Sequence, residues 1–252
     1  MKTQLGFTFL VFAFITLTTF GQETIPTGTI IPVALSGSLS SAKLKPGAPI
    51  HARVMQDVPL PRDKKIREGT KITGQVVDVR PSGPNGGASI SLKFDRVLTS
   101  KEGLPVTTDL RAIASYVAVN SAMIPAFGMG EGDSWRGRTT MQIGGDAVYW
   151  GGGPVVSRFG PVGKPVTGAD SGVLVRVTAP PGGPCRGETG ETNRLQAMWV
   201  FSSDACGVYD LNGLTIDHAG RDNPLGVIEL SSRSKDLKLH SGTGMLLRIT
   251  AQ

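Results

Sequence analysis

The sequence predicts a mainly β protein: barrel- or sandwich-like antiparallel sheets, with one short helix and long Gly-rich loops. Three observations lead there. Several short segments alternate apolar and polar residues with period two, the mark of a strand with one face in a core. The 252 residues include 34 Gly and 17 Pro, spread so that few uninterrupted stretches are long enough for a helix. Helical spacing of apolar residues is confined to one stretch, 109–123.

The chain opens with Met1-Lys2, then a nearly unbroken apolar run from Leu5 to Phe20, then the small Gly21 before polar Gln22-Glu23. Basic, apolar and small in that order is the layout of a secretory signal peptide, with residues 1–21 removed. The run of about 16 residues is shorter than the ~20 that cross a bilayer as a helix. An uncleaved anchor is the alternative. No Cys stands near the cut, which argues against lipid anchoring, and no later stretch is long and apolar enough to form a transmembrane helix. The expected location is therefore the periplasm or the outer membrane, with release to the medium also open.

The first mature portion, 22–124, reads as strands and turns closed by the helix. Ala88-Ser89-Ile90-Ser91-Leu92-Lys93-Phe94-Asp95 places an apolar residue at every even position and a polar one at every odd position. Pro49 to Val58 carries Ile50, Ala52 and Val54 on one side, and Lys71 to Val79 is a third strand. Ile25-Pro26-Thr27-Gly28-Thr29-Ile30-Ile31 is echoed by Ile66-Arg67-Glu68-Gly69-Thr70-Lys71-Ile72. In each, Gly suits a turn residue with positive φ and the β-branched residues suit the strand that follows. In the helix, 109–123, Thr108 or Asp109 is expected as the cap and Leu110, Ile113, Ala114, Val117 and Ala118 as the buried stripe.

Residues 125–171 form a Gly-rich loop region containing Trp135, Tyr149 and Trp150. Aromatics in such a loop serve as a ligand or glycan platform, or fold back as plugs over a core. These three are the candidate binding residues. In the carboxy-terminal portion, 172–252, strands return around Val173–Val177, Leu195–Phe201, Leu214–Ile216, Val227–Leu230 and Met245–Ile249. Cys185 and Cys206 are the only cysteines; in an exported chain such a pair is expected as a disulfide, here closing a loop of about 20 residues.

Composition narrows the function classes without naming one. The net charge of +6 is mild and distributed. The tightest basic cluster, Arg62, Lys64, Lys65 and Arg67, is interrupted by Asp63 and followed by Glu68, so it reads as a solvated turn and no nucleic-acid partner is expected. His51, His218 and His240 have no His or Cys at metal-ligand spacing, so no metal site and no cofactor are expected. Gly132-Asp133-Ser134 matches three residues of the GDS-type esterase motif, but that family's late Asp-x-x-His is missing. Gly163-Lys164 lacks the first Gly and the Ser or Thr of a phosphate loop. No catalytic residues are assigned.

The spacing of residues 25–108 resembles the carboxy-terminal domain of the TrbI-type conjugal transfer family, scaffold subunits of type IV secretion systems. The likeness runs through Ile25–Ile31, then Leu35, Leu39, Pro46-Gly47, Ala52, Val54 and Asp57-Val58. It continues through Ile66, Gly69-Thr70, Gly74 and the Ser89–Val97 strand, with a fainter match at Leu239–Ile249. It covers about a third of the chain. It implies a β-barrel-like fold that assembles at the outer membrane. The family's cytoplasmic head, inner-membrane helix and Pro-rich spacer have no counterpart here, and no functional residue carries over. The sequence thus predicts an exported, non-catalytic envelope protein, structural or binding. Its partner would be another envelope protein, a second copy, a glycan or a small ligand. The rival is an exported hydrolase or carbohydrate-binding protein whose site forms only in the fold. A third reading, a small-ligand binder, would be favoured by a cavity lined by Trp199 and Phe201.

Overall fold

The computed structural model describes residues 24–84, 86–99, 103–124, 139–144, 147–149, 155–157, 160–165, 173–176, 195–202, 205–233 and 236–251. Among them run β1 (Ile30–Leu35), β2 (Leu39–Ser40), β3 (Pro49–Val54), β4 (Val58–Pro59), β5 (Lys65–Ile66), β6 (Lys71–Arg80), β7 (Ala88–Leu98), β8 (Gly103–Pro105) and β9 (Thr107–Ala114). There follow α1 (Tyr116–Met123), β10 (Thr139–Met141), β11 (Ala147–Tyr149), β12 (Val155–Ser157), β13 (Gly160–Pro165), β14 (Val173–Arg176) and β15 (Leu195–Trp199). The last elements are β16 (Gly207–Tyr209), β17 (Leu214–His218), β18 (Ile228–Ser232), β19 (Lys238–Leu239) and β20 (Gly244–Ala251).

The expected β fold is present as a barrel-like sheet ordered β16-β9-β20-β1-β3-β6-β7-β18-β17, with β8 on β7. Its neighbours are antiparallel except for β16, which runs parallel to β9. The two ends of that order, β16 and β17, are consecutive in the chain, so the sheet curls nearly shut. At the seam the Leu110 N–H of β9 donates to Ala219 O at 2.8 Å. Arg221 Nη2 donates to Leu110 O at 3.2 Å.

Period two fills the interior. In β3 the burial alternates strictly, with Ile50, Ala52 and Val54 inward and His51 and Arg53 outward. The register stacks Ala52 on Ile72 and Ile72 on Val97, so one row of apolar side chains crosses three strands. The repeated Gly-Thr segments are two equivalent turns. Thr29 N–H donates to Pro26 O and Thr70 N–H to Arg67 O, both at 3.1 Å. Gly28 and Gly69 take the positive φ, 82° and 81°, that the sequence expectation required of them.

A second apolar layer covers the outside of β1, β9 and β20. Ile30, Ala34, Ala112, Ala114 and Leu246 pack there against Val119 and Ala122 of α1 and against Met198, Trp199 and Phe201. This explains why β1, Ile30-Ile31-Pro32-Val33-Ala34-Leu35, is apolar throughout: it is buried on both faces. A six-stranded meander, β10-β11-β12-β13-β14-β15, joins this layer through β15. Two buried glutamines make the joint. Ile30 N–H donates to Gln196 Oε1 at 2.9 Å, and Trp199 N–H donates to Gln56 Oε1 at 2.6 Å.

One element departs from the sequence expectation. The helix starts at Tyr116, and the residues from Asp109 to Ala114 are strand β9. Ser115 is the cap, its Oγ accepting from Ala118 N–H at 3.0 Å. The cause is a bulge. Leu246 faces Ala112 while Leu247 faces Leu110, leaving Arg111 as the extra residue. Leu110 and Ile113 therefore both reach the barrel interior three residues apart, which imitates helical spacing.

Asp109, expected as a cap, is fully buried between two arginines. Its Oδ2 receives Arg248 Nε at 2.9 Å as well as Arg248 Nη2, with Arg221 Nε at 3.4 Å. Removing one partner of a buried ion pair leaves the others uncompensated. Asp109→Ala is expected to lower stability by about 3–5 kcal/mol, read as a fall in the midpoint of chemical unfolding.

The hairpin of β4 and β5 is pinned by Asp57. Lys65 Nζ binds its Oδ2, and Glu68 N–H donates to Oδ1 at 2.8 Å. The hydrogen bond from Lys65, then the Glu68 amide and the charges of Lys65 and Arg67, hold the carboxyl below its ordinary 3.8 against a smaller opposing effect of burial. A carboxyl lowered in the folded state stabilises fully above its unfolded pKa and loses that stabilisation as pH falls through the lower folded value. Protection of the Glu68 amide, its exchange measured against the free-chain rate at the same pH, should fall over that acid window, and Asp57→Asn should abolish that fall. The side chain is 44% exposed, so the effect is local and small.

Candidate functional site

Near the seam a cleft of about 490 Å³ opens where three segments converge: the start of α1, the turn from β16 to β17, and residues 236–243. This is the size of small-ligand sites. Its apolar lining comes from Leu211, Leu214, Leu237 and Leu239. Its polar groups are supplied by Ser115, Asp210, Asn212, Ser232, Asp236, Lys238, His240 and Thr243.

Each side chain is placed by the local fold. Leu214 N–H donates to Leu211 O at 3.0 Å, closing the turn that carries Asn212-Gly213. Asp210 enters that turn with φ of 50°. Ser115 Oγ donates to Asp210 Oδ2 while accepting the Ala118 amide, so one hydroxyl both caps α1 and fixes the carboxylate. Asp236 Oδ1 accepts Ser82 N–H at 2.9 Å and Ser41 Oγ at 3.3 Å. The rings of Tyr116 and His240 lie 5.5 Å apart, tilted by 51°, and Tyr116 is 42% exposed. Thr243, at the end of the tight turn from His240, is 1% exposed, and its Oγ1 is buried with no hydrogen-bond partner.

The chemistry available is recognition of a polar ligand with an apolar face. A buried hydroxyl without a partner carries a desolvation cost of about 1–3 kcal/mol. Both hydrogen-bonding roles of Ser115 Oγ are taken, and no histidine nitrogen is bonded to it. The Ser115–Asp210 pair thereby joins the cap of α1 to the turn that carries the carboxylate. Among the described residues no group of three or more His, Cys, Asp or Glu is gathered to hold a metal ion.

A second cavity of about 410 Å³ lies along β16 and β17. It is lined by Arg111, Cys206, Asp217, His218 and Arg221, among others. Arg111 Nε donates to Ala205 O at 2.9 Å, and His218 Nδ1 lies 2.8 Å from Val227 O, so both side chains are tied to the backbone.

The residues singled out from sequence fall elsewhere. Trp135 and Trp150 lie outside the described residues, and Tyr149 ends β11 opposite Thr139. Cys185 lies outside them too. Cys206 is described, its N–H donating to Tyr209 Oη at 2.9 Å. Trp199 and Phe201 are buried in the second apolar layer and line neither cavity. Sequence reasoning missed Ser115, Tyr116, Asp210 and Thr243. The only local signal was the Asn212-Gly213 turn, which marks a bend and not a cleft.

No family model matches this sequence, and no curated protein matches it. Among the described residues no helix is long and apolar enough to cross a membrane.

The cleft makes one sharp expectation. Thr243→Val replaces the unpartnered hydroxyl by a methyl of similar size. In ligand-free protein it is expected to raise stability by about 1 kcal/mol, measured as a higher thermal midpoint.

Proposed function

We propose that this chain is an exported, non-catalytic binding protein of the cell envelope, taking a sugar or another small hydroxyl-bearing ligand in the cleft between Tyr116, Asp210 and Thr243. The observation that carries the reading is the unpartnered, buried Thr243 hydroxyl in a cleft that also presents an exposed tyrosine ring. A ligand hydroxyl would satisfy Thr243, the ring would cover an apolar sugar face, and Asp210 and Asn212 would accept and donate at the rim. Export is supported by the order of residues 1–23, and a Cys185–Cys206 disulfide belongs to the same reading. The likeness to TrbI-type domains is proposed as one of fold. Its support is that β1, β3, β6 and β7 from the matched region and β20 from the closing segment share one barrel-like sheet.

A second reading rests on a specific observation: two carboxylates, Asp210 and Asp236, line the same cleft. Paired carboxylates are the machinery of glycoside hydrolysis, which would make this an exported hydrolase.

One set of measurements separates the two. Cells are fractionated into cytoplasm, periplasm, outer membrane and medium, and the purified mature protein is titrated with envelope-derived oligosaccharides. The expected outcome is an exported chain starting near Gln22 that binds oligosaccharide and returns it intact. Tyr116→Ala should weaken binding about tenfold, or ~1.4 kcal/mol. Turnover abolished by Asp210→Asn would replace this reading by the hydrolase. An uncut chain retained in the cytoplasm would overturn export.

A further inference from the structure

The outward face of β3, β6 and β7 carries a grid of cations whose arrangement the register dictates. Arg53 stands directly opposite Lys71, and His51 opposite Thr73, which in turn faces Arg96. Ala52, Val54, Ile72 and Val97 point inward, so these side chains point to solvent, and Arg53, Lys71, His51 and Arg96 are exposed. None of the ion pairs among the described residues involves Arg53, Lys71 or Arg96. Lys93, one row further, is paired with Asp95 at 3.6 Å. Like charges directly opposite on neighbouring strands are unfavourable, so the Arg53–Lys71 pair is held against a local cost.

Two further observations extend the patch. A Cβ at Gly103 would come within 2.7 Å of Arg96 Cδ; the bare glycine is what lets the Arg96 stem lie across β8. The β4–β5 hairpin, with Arg62, Lys64 and Arg67, leaves the sheet at the same end as Arg53 and Lys71. Gly69 N–H joins it to Val54 O at 2.8 Å. Asp63 and Glu68 on this hairpin, and the Asp57–Lys65 pair, reduce its charge without reversing it.

We propose that this face is a second binding surface, which takes an acidic polysaccharide lying across the β3, β6 and β7 strands. Arg53, Lys71 and Arg96 would meet the polymer's acidic groups. Thr73 and Gln75, standing between them on β6, would hydrogen-bond its neutral hydroxyls. No aromatic side chain stands at these row positions to stack a base, which sets the surface apart from single-strand nucleic-acid platforms. The surface is separate from the Tyr116 cleft and does not depend on it.

The test is binding of the purified mature protein to polygalacturonate, neutral dextran, a single-stranded oligonucleotide and phosphatidylglycerol vesicles, each at low and at high salt. The expected result is binding to polygalacturonate but not dextran, weakened by salt as exposed charges are screened. Arg53→Glu/Lys71→Glu should reduce it at least tenfold, while Arg233→Glu, away from this face, changes it less than twofold. Lys71→Glu alone gives the readout that a merely structural role would not: it sets a carboxylate opposite Arg53, so the thermal midpoint should hold or rise while affinity falls. The proposal is overturned if wild-type protein ignores polygalacturonate, if the double variant binds it undiminished, or if the oligonucleotide or the vesicles bind more tightly.

Discussion

Closure of the barrel depends on one buried carboxylate. Asp109 sits on β9 opposite Arg248 of β20 and reaches Arg221, which follows β17. It therefore links the second and third strands of the order to the chain just beyond its other end, β17. Arg221 also donates to Leu110 O, and the Leu110 amide is bound to Ala219. Charge and backbone bonding thus converge on one point of the seam. A buried ion pair is weak evidence for net stability, but breaking one by removing a partner is strongly destabilising. Here it selects the curled arrangement, because a flatter sheet would part Asp109 from Arg221 and leave charges buried alone.

The layer outside the barrel follows from that closure. Once β9, β20 and β1 are fixed side by side, their outer face is apolar and must be covered. Helix α1, residues 198–201 and Ala205 cover it. Trp199 does so with φ of 52°, a left-handed conformation that is unfavourable for a bulky residue. Both its backbone groups are held by buried amides: Gln56 accepts from its N–H and Gln142 Nε2 donates to its carbonyl at 3.0 Å. Two glutamines far apart in sequence thus hold one residue in a conformation that it would not keep alone.

The sequence was legible where one rule acted at a time. β3 has a single buried face, so period two located it and its inward residues. The paired Gly-Thr turns were legible because positive φ nearly demands glycine. β9 was not, because two rules overlapped: both faces are buried and a bulge at Arg111 converts period two into a spacing of three. Ser89 and Ser91, read as solvent-facing, are 7% and 8% exposed, because burial there extends to both faces of β7. The cleft was least legible of all. Ser115, Asp210 and Thr243 are separated by long stretches of chain and share no motif. They meet only because β16 pairs in parallel with β9 and brings the Asp210 turn to the start of α1.

That placement bears on what the cleft can do. At a seam the ladder of strand pairing stops, and side chains next to it are released from core duty while their backbone stays fixed. Ser115 is spent on capping and on holding Asp210, and Asp236 is held through Oδ1 by Ser82 and Ser41. Ser115 and one oxygen of each aspartate thus help to fix the shape of the site. Thr243 Oγ1 is the reverse case, a rigidly buried group without a structural partner. Carboxylates that serve as supports and a spare neutral hydroxyl are what the proposed binding of a hydroxyl-bearing ligand calls for. Ser115 takes Oδ2 of Asp210, so any further contact by that carboxylate, to ligand or substrate alike, falls to Oδ1.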